Sequence, residues 1–152
     1  MAAMLAATGT ATIVDLDDGF SHRCERATGR PVPDDSPTDW VTQTWSVNVA
    51  RVAAFLDAAG SEPVVLFGVA GNIAEAMPLV DRTVFLDVSA EVLAARLLTR
   101  VGNDYGKDPV EFANVMRWAR TERQRWLDRG ADIVANDDAP AAVVAVLLAL
   151  VA

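Results

Sequence analysis

In Asp81–Lys107, DRTVFLDVSAEVLAARLLTRVGNDYGK, a strand and a helix follow one another within a few residues. Thr83–Asp87 is a short apolar run rich in β-formers, the pattern of a buried parallel strand. Ser89 offers a helix N-cap, and Glu91 puts a negative charge in the first turn, where the helix dipole favours it. Leu93 and Leu97 fall on one face of that helix. Arg96 and Arg100, four residues apart, lie side by side on another. The loop that follows, 101–108, carries Asn103, Tyr105, Gly106 and Lys107. Two guanidinium forks beside a glycine-containing loop suit phosphate, whose oxygens each fork can bind bidentately; the same spacing equally suits a solvated helix face.

Working outward, Ala2–Ala7 reads as the last turns of a helix stopped by Gly9, and Thr10–Val14 as a short β-branched strand that ends in Asp15-Leu16-Asp17-Asp18-Gly19. Residues 20–37 are polar and hold Pro31, Pro33, Pro37 and Gly29, which predicts a surface loop with His22 and Cys24 exposed. Thr38 or Asp39 caps a predicted helix carrying Trp40, Val41, Trp45, Val49, Val52, Phe55 and Leu56 as far as Gly60. Val64–Phe67 is a continuous apolar run, hence a second buried strand, and it leads into Gly68-Val69-Ala70-Gly71-Asn72. Beyond the 101–108 loop, Asp108-Pro109 supplies an N-cap and a first helical residue for a helix to Arg129 that buries Phe112, Val115, Met116 and Ala119. Trp118 and Trp126 on it are expected to pack rather than to stack on a base. Ala131–Ala135 is the last strand, Asn136-Asp137-Asp138 its exit loop, and Pro140 opens an apolar, buried terminal helix.

The totals narrow the class. A chain of 152 residues is expected to form one domain with a real core. A net charge of −8 argues against nucleic acid and against anionic membrane as partners. Lone Cys24 cannot form an internal disulfide, and the N-terminus lacks the basic flank of a signal peptide. The final apolar stretch is too short for a bilayer, which needs roughly 20 residues. A cytoplasmic protein is the expectation. Strand and helix in alternation, with apolar strands, predicts a three-layer α/β fold with a parallel sheet covered on both faces.

In such a sheet ligands bind outside the carboxyl ends of the strands, where the polar residues of this chain gather. Asp15 and Asp17 suit a magnesium ion or acceptance of a proton from a substrate hydroxyl, although Asp-Gly is also an ordinary turn. Gly68 and Gly71 allow close approach of backbone to a ligand, with Asn72 adding a side-chain contact; a tight strand-to-helix turn needs the same residues. No zinc spacing and no nucleophile–base pair is present.

Taken together, Asp15-x-Asp17, the Gly68–Asn72 turn, the strand-then-RLxxR pattern of Val84–Arg100 and the Ile133–Pro140 segment resemble the P-loop small-molecule kinases: shikimate kinase, gluconate kinase and the adenylate-kinase-like proteins. The resemblance covers nearly the whole chain and is strongest where that family's lid begins, which makes the 101–108 loop lid-like. It implies ATP and magnesium as cofactors and phosphoryl transfer to a small hydroxyl-bearing metabolite or nucleotide. It casts Asp17 as base or substrate anchor, Asp15 as magnesium-side ligand and Arg100 as catalytic. Arg96, Arg100 and Lys107 would neutralise phosphate, Asn136 would lie beside the nucleotide, and Asp17, Asp18, Gly68, Gly71 and Asn72 would line the acceptor pocket.

The family's defining motif, GxxxxGK[ST] after a first strand, is absent; Lys107 is the chain's only lysine. The strand that precedes it lies, in that family, between the strands matched by Val64 and Val84. Its absence predicts unpaired backbone at the sheet centre, and association into a homo-oligomer would relieve it. The resulting expectation is a truncated or remnant kinase, inactive as written. The alternative is a noncatalytic nucleotide- or anion-binding module.

Overall fold

A computed structural model describes the backbone of residues 2–151 and the side chains of residues 3–150. The architecture is α/β: two small parallel sheets, one antiparallel sheet, and helices. Backbone contacts divide the chain into two compact units, one running to Asp81 and the other Arg82–Leu150.

The first unit begins with helix α1 (Ala2–Ala6) and strand β1 (Thr12–Asp15). Strands β2 (Ser21–Glu25) and β3 (Gln43–Val47) pair antiparallel, Arg23 opposite Trp45. Helix α2 (Val49–Ala59) and strand β4 (Val64–Phe67) follow. β4 is parallel to β1, with Thr12 opposite Val64 and Asp15 opposite Phe67. Two single-turn 3₁₀ helices, Ile73–Glu75 and Met77–Leu79, complete the unit. Leu16, Val47, Val52 and Ala76 form its buried core, with Phe20, Leu56, Leu66 and Ile73 packed around them.

The polar stretch 20–37, expected to be a loop, opens with strand β2 and is otherwise turns and irregular chain with one isolated bridge, Cys24 to Pro31, and the helix expected from residue 39 starts only at Val49. Val41, Trp45, Val49, Val52 and Leu56 mimic helical spacing, but Thr44, Trp45 and Val47 favour an extended backbone. Asn48 is the true N-cap, its side chain accepting from the Arg51 N–H. Cys24, expected on the surface, is buried on β2. So is Arg23, whose guanidinium donates to the carbonyls of Pro33, Asp34 and Ser36 and to Thr38 and Gln43. The 33–38 segment is thus closed around a buried cation.

The second unit holds β5 (Val84–Asp87), α3 (Ala90–Thr99), α4 (Pro109–Leu127), β6 (Asp132–Ala135) and α5 (Pro140–Val151). β5 and β6 are parallel, Val84 opposite Asp132 and Asp87 opposite Ala135. Ser89 and Asp108 cap α3 and α4 as the sequence predicts, accepting from the N–H groups of Val92 and of Val110 and Glu111. Trp126 is buried and stacks on Phe85, ring centroids 6.0 Å apart; Trp118, expected to pack, is exposed. α5 buries Val143, Val144 and Leu147 but leaves Ala141, Ala145 and Val146 exposed, so it is half covered rather than buried. Among the described residues no helix is long and apolar enough to cross a membrane.

Each sheet has two strands, and among the described residues no ladder joins β4 to β5.

Candidate functional site

The residues singled out from sequence fall into two groups, one on each unit. In the first unit the parallel register brings the exits of β1 and β4 to one end. Leu16 N–H donates to the Phe67 carbonyl at 2.7 Å, which continues the ladder into both loops. Asp15, Asp17 and Asp18 sit in a tight turn. Asp15 Oδ1 accepts from the Asp17 N–H at 3.0 Å, and the Asp18 N–H donates to the Asp15 carbonyl. Leu16 between them points into the core, which leaves the three carboxylates exposed. Asp17 is exposed as a residue, yet its carboxyl loses part of its hydration to neighbouring protein. That loss, with the like charges of Asp15 and Asp18, pushes its pKa above the ordinary carboxylate value.

Gly68, Gly71 and Asn72 all serve contacts within the protein. Gly68 has φ +153°, and a Cβ there would stand 2.8 Å from Leu16 Cβ, so glycine is what lets the two strand exits close on each other. Gly71 N–H donates to the Trp45 carbonyl at 2.8 Å. The Asn72 side chain bridges to β3: its Oδ1 accepts from the Val47 N–H at 2.8 Å and its Nδ2 donates to the Val47 carbonyl at 3.0 Å. An amide side chain here imitates one residue of a neighbouring strand. A basic group missed from sequence lies close by. Arg51 on α2 stands over the Phe20 ring at 5.2 Å, and its guanidinium passes within 4 Å of where a Gly19 Cβ would be. No sequence pattern marks it, because it is set beside the acidic turn by the return of the chain.

In the second unit the exits of β5 and β6 share an end. Asn136 N–H donates to the Asp87 carbonyl, and Asp137 Oδ1 accepts from the Ser89 N–H at 2.8 Å. Arg96 reaches across to the carbonyls of Asp137 and Asp138 at 3.5 Å, and Arg123 on α4 pairs with Asp87 at 3.0 Å. Arg100 is the C-cap of α3 and donates to the Tyr105 carbonyl, while its Nε is buried without a hydrogen-bond partner among the described residues. Lys107 pairs with Asp104 at 2.7 Å, which holds the Asp104 carboxyl below its usual pKa. Gly106 N–H donates to Glu111 Oε2 at 2.8 Å. The second half of the lid-like loop is thus tied to both flanking helices, through Arg100 and Glu111.

No protein-family model, curated protein or solved structure matches this chain.

Chemically, the first unit offers carboxylates and the second offers guanidinium groups on loop carbonyls. A magnesium ion fits the first poorly. Among the described residues no group of three or more His, Cys, Asp or Glu side chains gathers as a metal cage. A single carboxylate holds magnesium only alongside phosphate oxygens, and the chain lacks the GxxxxGK[ST] loop that would position them. The arginines fit an anion better, since Arg96 and Arg100 rest on neutral carbonyl oxygens that a phosphate oxygen can replace with a stronger, charge-assisted bond.

Proposed function

We propose that this chain is a remnant or truncated form of an ATP-dependent small-molecule kinase, built on that family's parallel-sheet plan without the phosphate-cradling strand and loop, and that as written it transfers no phosphate. What supports this reading is the pairing pattern. Two parallel ladders each carry polar loops at their carboxyl ends, and the apolar strands β4 and β5, expected to flank the missing strand, each pair on one side only. Without backbone amides and a lysine around the γ-phosphate, the electrostatic positioning on which phosphoryl transfer depends is gone.

A second reading, a noncatalytic nucleotide- or anion-binding module, is favoured by one observation. The guanidinium groups of Arg96 and Arg100 lie on exchangeable carbonyl partners rather than in carboxylate pairs.

Titration calorimetry with ATP and with inorganic phosphate, beside a radiolabelled ATP turnover assay over a panel of small hydroxyl-bearing acceptors, separates the two. Turnover above background overturns the inactive reading. Nucleotide binding that falls about tenfold in Arg100→Ala, the loss of one charge-assisted contact, supports the binding module. Unchanged binding assigns Arg100 to a solvated helix end. Kinase parentage has its own test: an in-frame strand and GxxxxGK[ST] encoded upstream of Met1 supports it, and a stop codon without that motif removes it.

A further inference from the structure

The outer edge of β4 has no ladder partner among the described residues. In the β1–β4 ladder the carbonyls of Pro63 and Phe67 accept from the N–H groups of Thr12 and Leu16. By strand alternation Val65 faces β1 as well, while the N–H and C=O groups of Val64 and Leu66 face the other way. Among the described residues nothing hydrogen-bonds to them there. A row of unpaired backbone groups on a strand edge is a template for pairing with another chain. Proteins commonly guard such an edge with charge or proline. β1, β2, β5 and β6 all carry charged residues and β3 is largely polar, whereas β4, VVLF, is the one strand apolar throughout. Pro63 is no guard, because the donor it lacks belongs to the side facing β1.

We propose that this edge pairs with β4 of a second copy of the chain. A two-fold axis normal to the sheet sets the two strands antiparallel and makes the contact isologous. With Val65 on the axis, Val64 of each copy exchanges both backbone hydrogen bonds with Leu66 of the other. Glu62 then falls opposite Gly68, so no like charges meet across the join. Two parallel pairs become one four-stranded sheet. The inference needs only the open edge and stands apart from the kinase reading.

The test is the mass in solution against protein concentration, with amide hydrogen exchange on the same samples. A dimer should form as concentration rises and strengthen with salt, because each copy carries a net charge of −8. The Val64 and Leu66 amides should gain protection in step with it, while Val65 and Phe67 are protected throughout. Val64→Pro removes one outward donor per copy and no bond to β1, and should weaken the dimer about tenfold or more. Should that variant not fold, the exchange pattern of the native chain decides alone. A monomer at every concentration overturns the proposal, and so does a dimer that leaves the Val64 and Leu66 amides unprotected.

Discussion

Arg23 is held by carbonyls and neutral side chains rather than by a carboxylate, and it organises the 33–38 segment that sequence alone leaves as a loop. Arg23→Met should cost about 1–2 kcal/mol in urea denaturation, since several partly exposed acceptors lose one charged donor that holds them together. Cleavage by a nonspecific protease should then concentrate between Pro33 and Thr38. Lysine should rescue little, because a single ammonium cannot span acceptors arranged for a planar fork. Asp17 supplies a pH-dependent case. Its folded pKa lies above the ordinary aspartate value, so the folded state holds the proton more tightly. The stabilisation is complete below that value and is lost as pH rises through the folded pKa. Asp17→Asn should therefore leave Tm unchanged in strong acid and raise it modestly at neutral pH, in a pair of Tm–pH curves that part within that window. The acidic turn around Asp17 is legible from its Asp-Gly signal, whereas the burial of Arg23 is not, because its acceptors lie 10 to 20 residues away, most of them in irregular chain.

At the scale of elements, what could be read in advance was whatever rests on local chemistry. Ser89 and Asp108 sit at their caps, and Val64–Phe67 and Val84–Asp87 are strands because short apolar runs between turn residues have few other conformations. β2 and β3 escaped because their partners are each other. His22, Arg23 and Glu25 carry no apolar alternation, and the tryptophan–valine spacing of residues 40–56 follows a helical period by coincidence. Asn72 shows the same limit within the candidate site. Its reading as a ligand contact rested on position after a strand, whereas its amide is engaged by Val47, a residue only 2% exposed. Asn72→Ala should strip both partners from buried backbone and lower stability by about 2–4 kcal/mol, measured by chemical denaturation. In calorimetry with ATP the same variant should give the same heat as the native chain.

For the whole molecule, the separate ladders predict how it comes apart. With no strand pairing between β4 and β5 among the described residues, native-state hydrogen exchange should resolve two cooperative blocks, one ending near Asp81 and one beginning near Arg82. Asn72→Ala should lower protection in the first block by more than in the second. An equal fall in both would mean that the chain unfolds as one.

The register of the parallel pairs also sets a timetable. β1 meets β4, and β5 meets β6, across roughly fifty residues of chain, and such closures are slow because the loop entropy is spent before any contact rewards it. The β2–β3 hairpin lies wholly inside the first of these spans and joins residues much nearer in sequence. Once formed, it shortens the flexible length that must close between β1 and β4. Inside the second span, α3 and α4 do the same, as helices that form on local contacts alone. Both parallel ladders should therefore form last during folding, each waiting on what its own loop has already built.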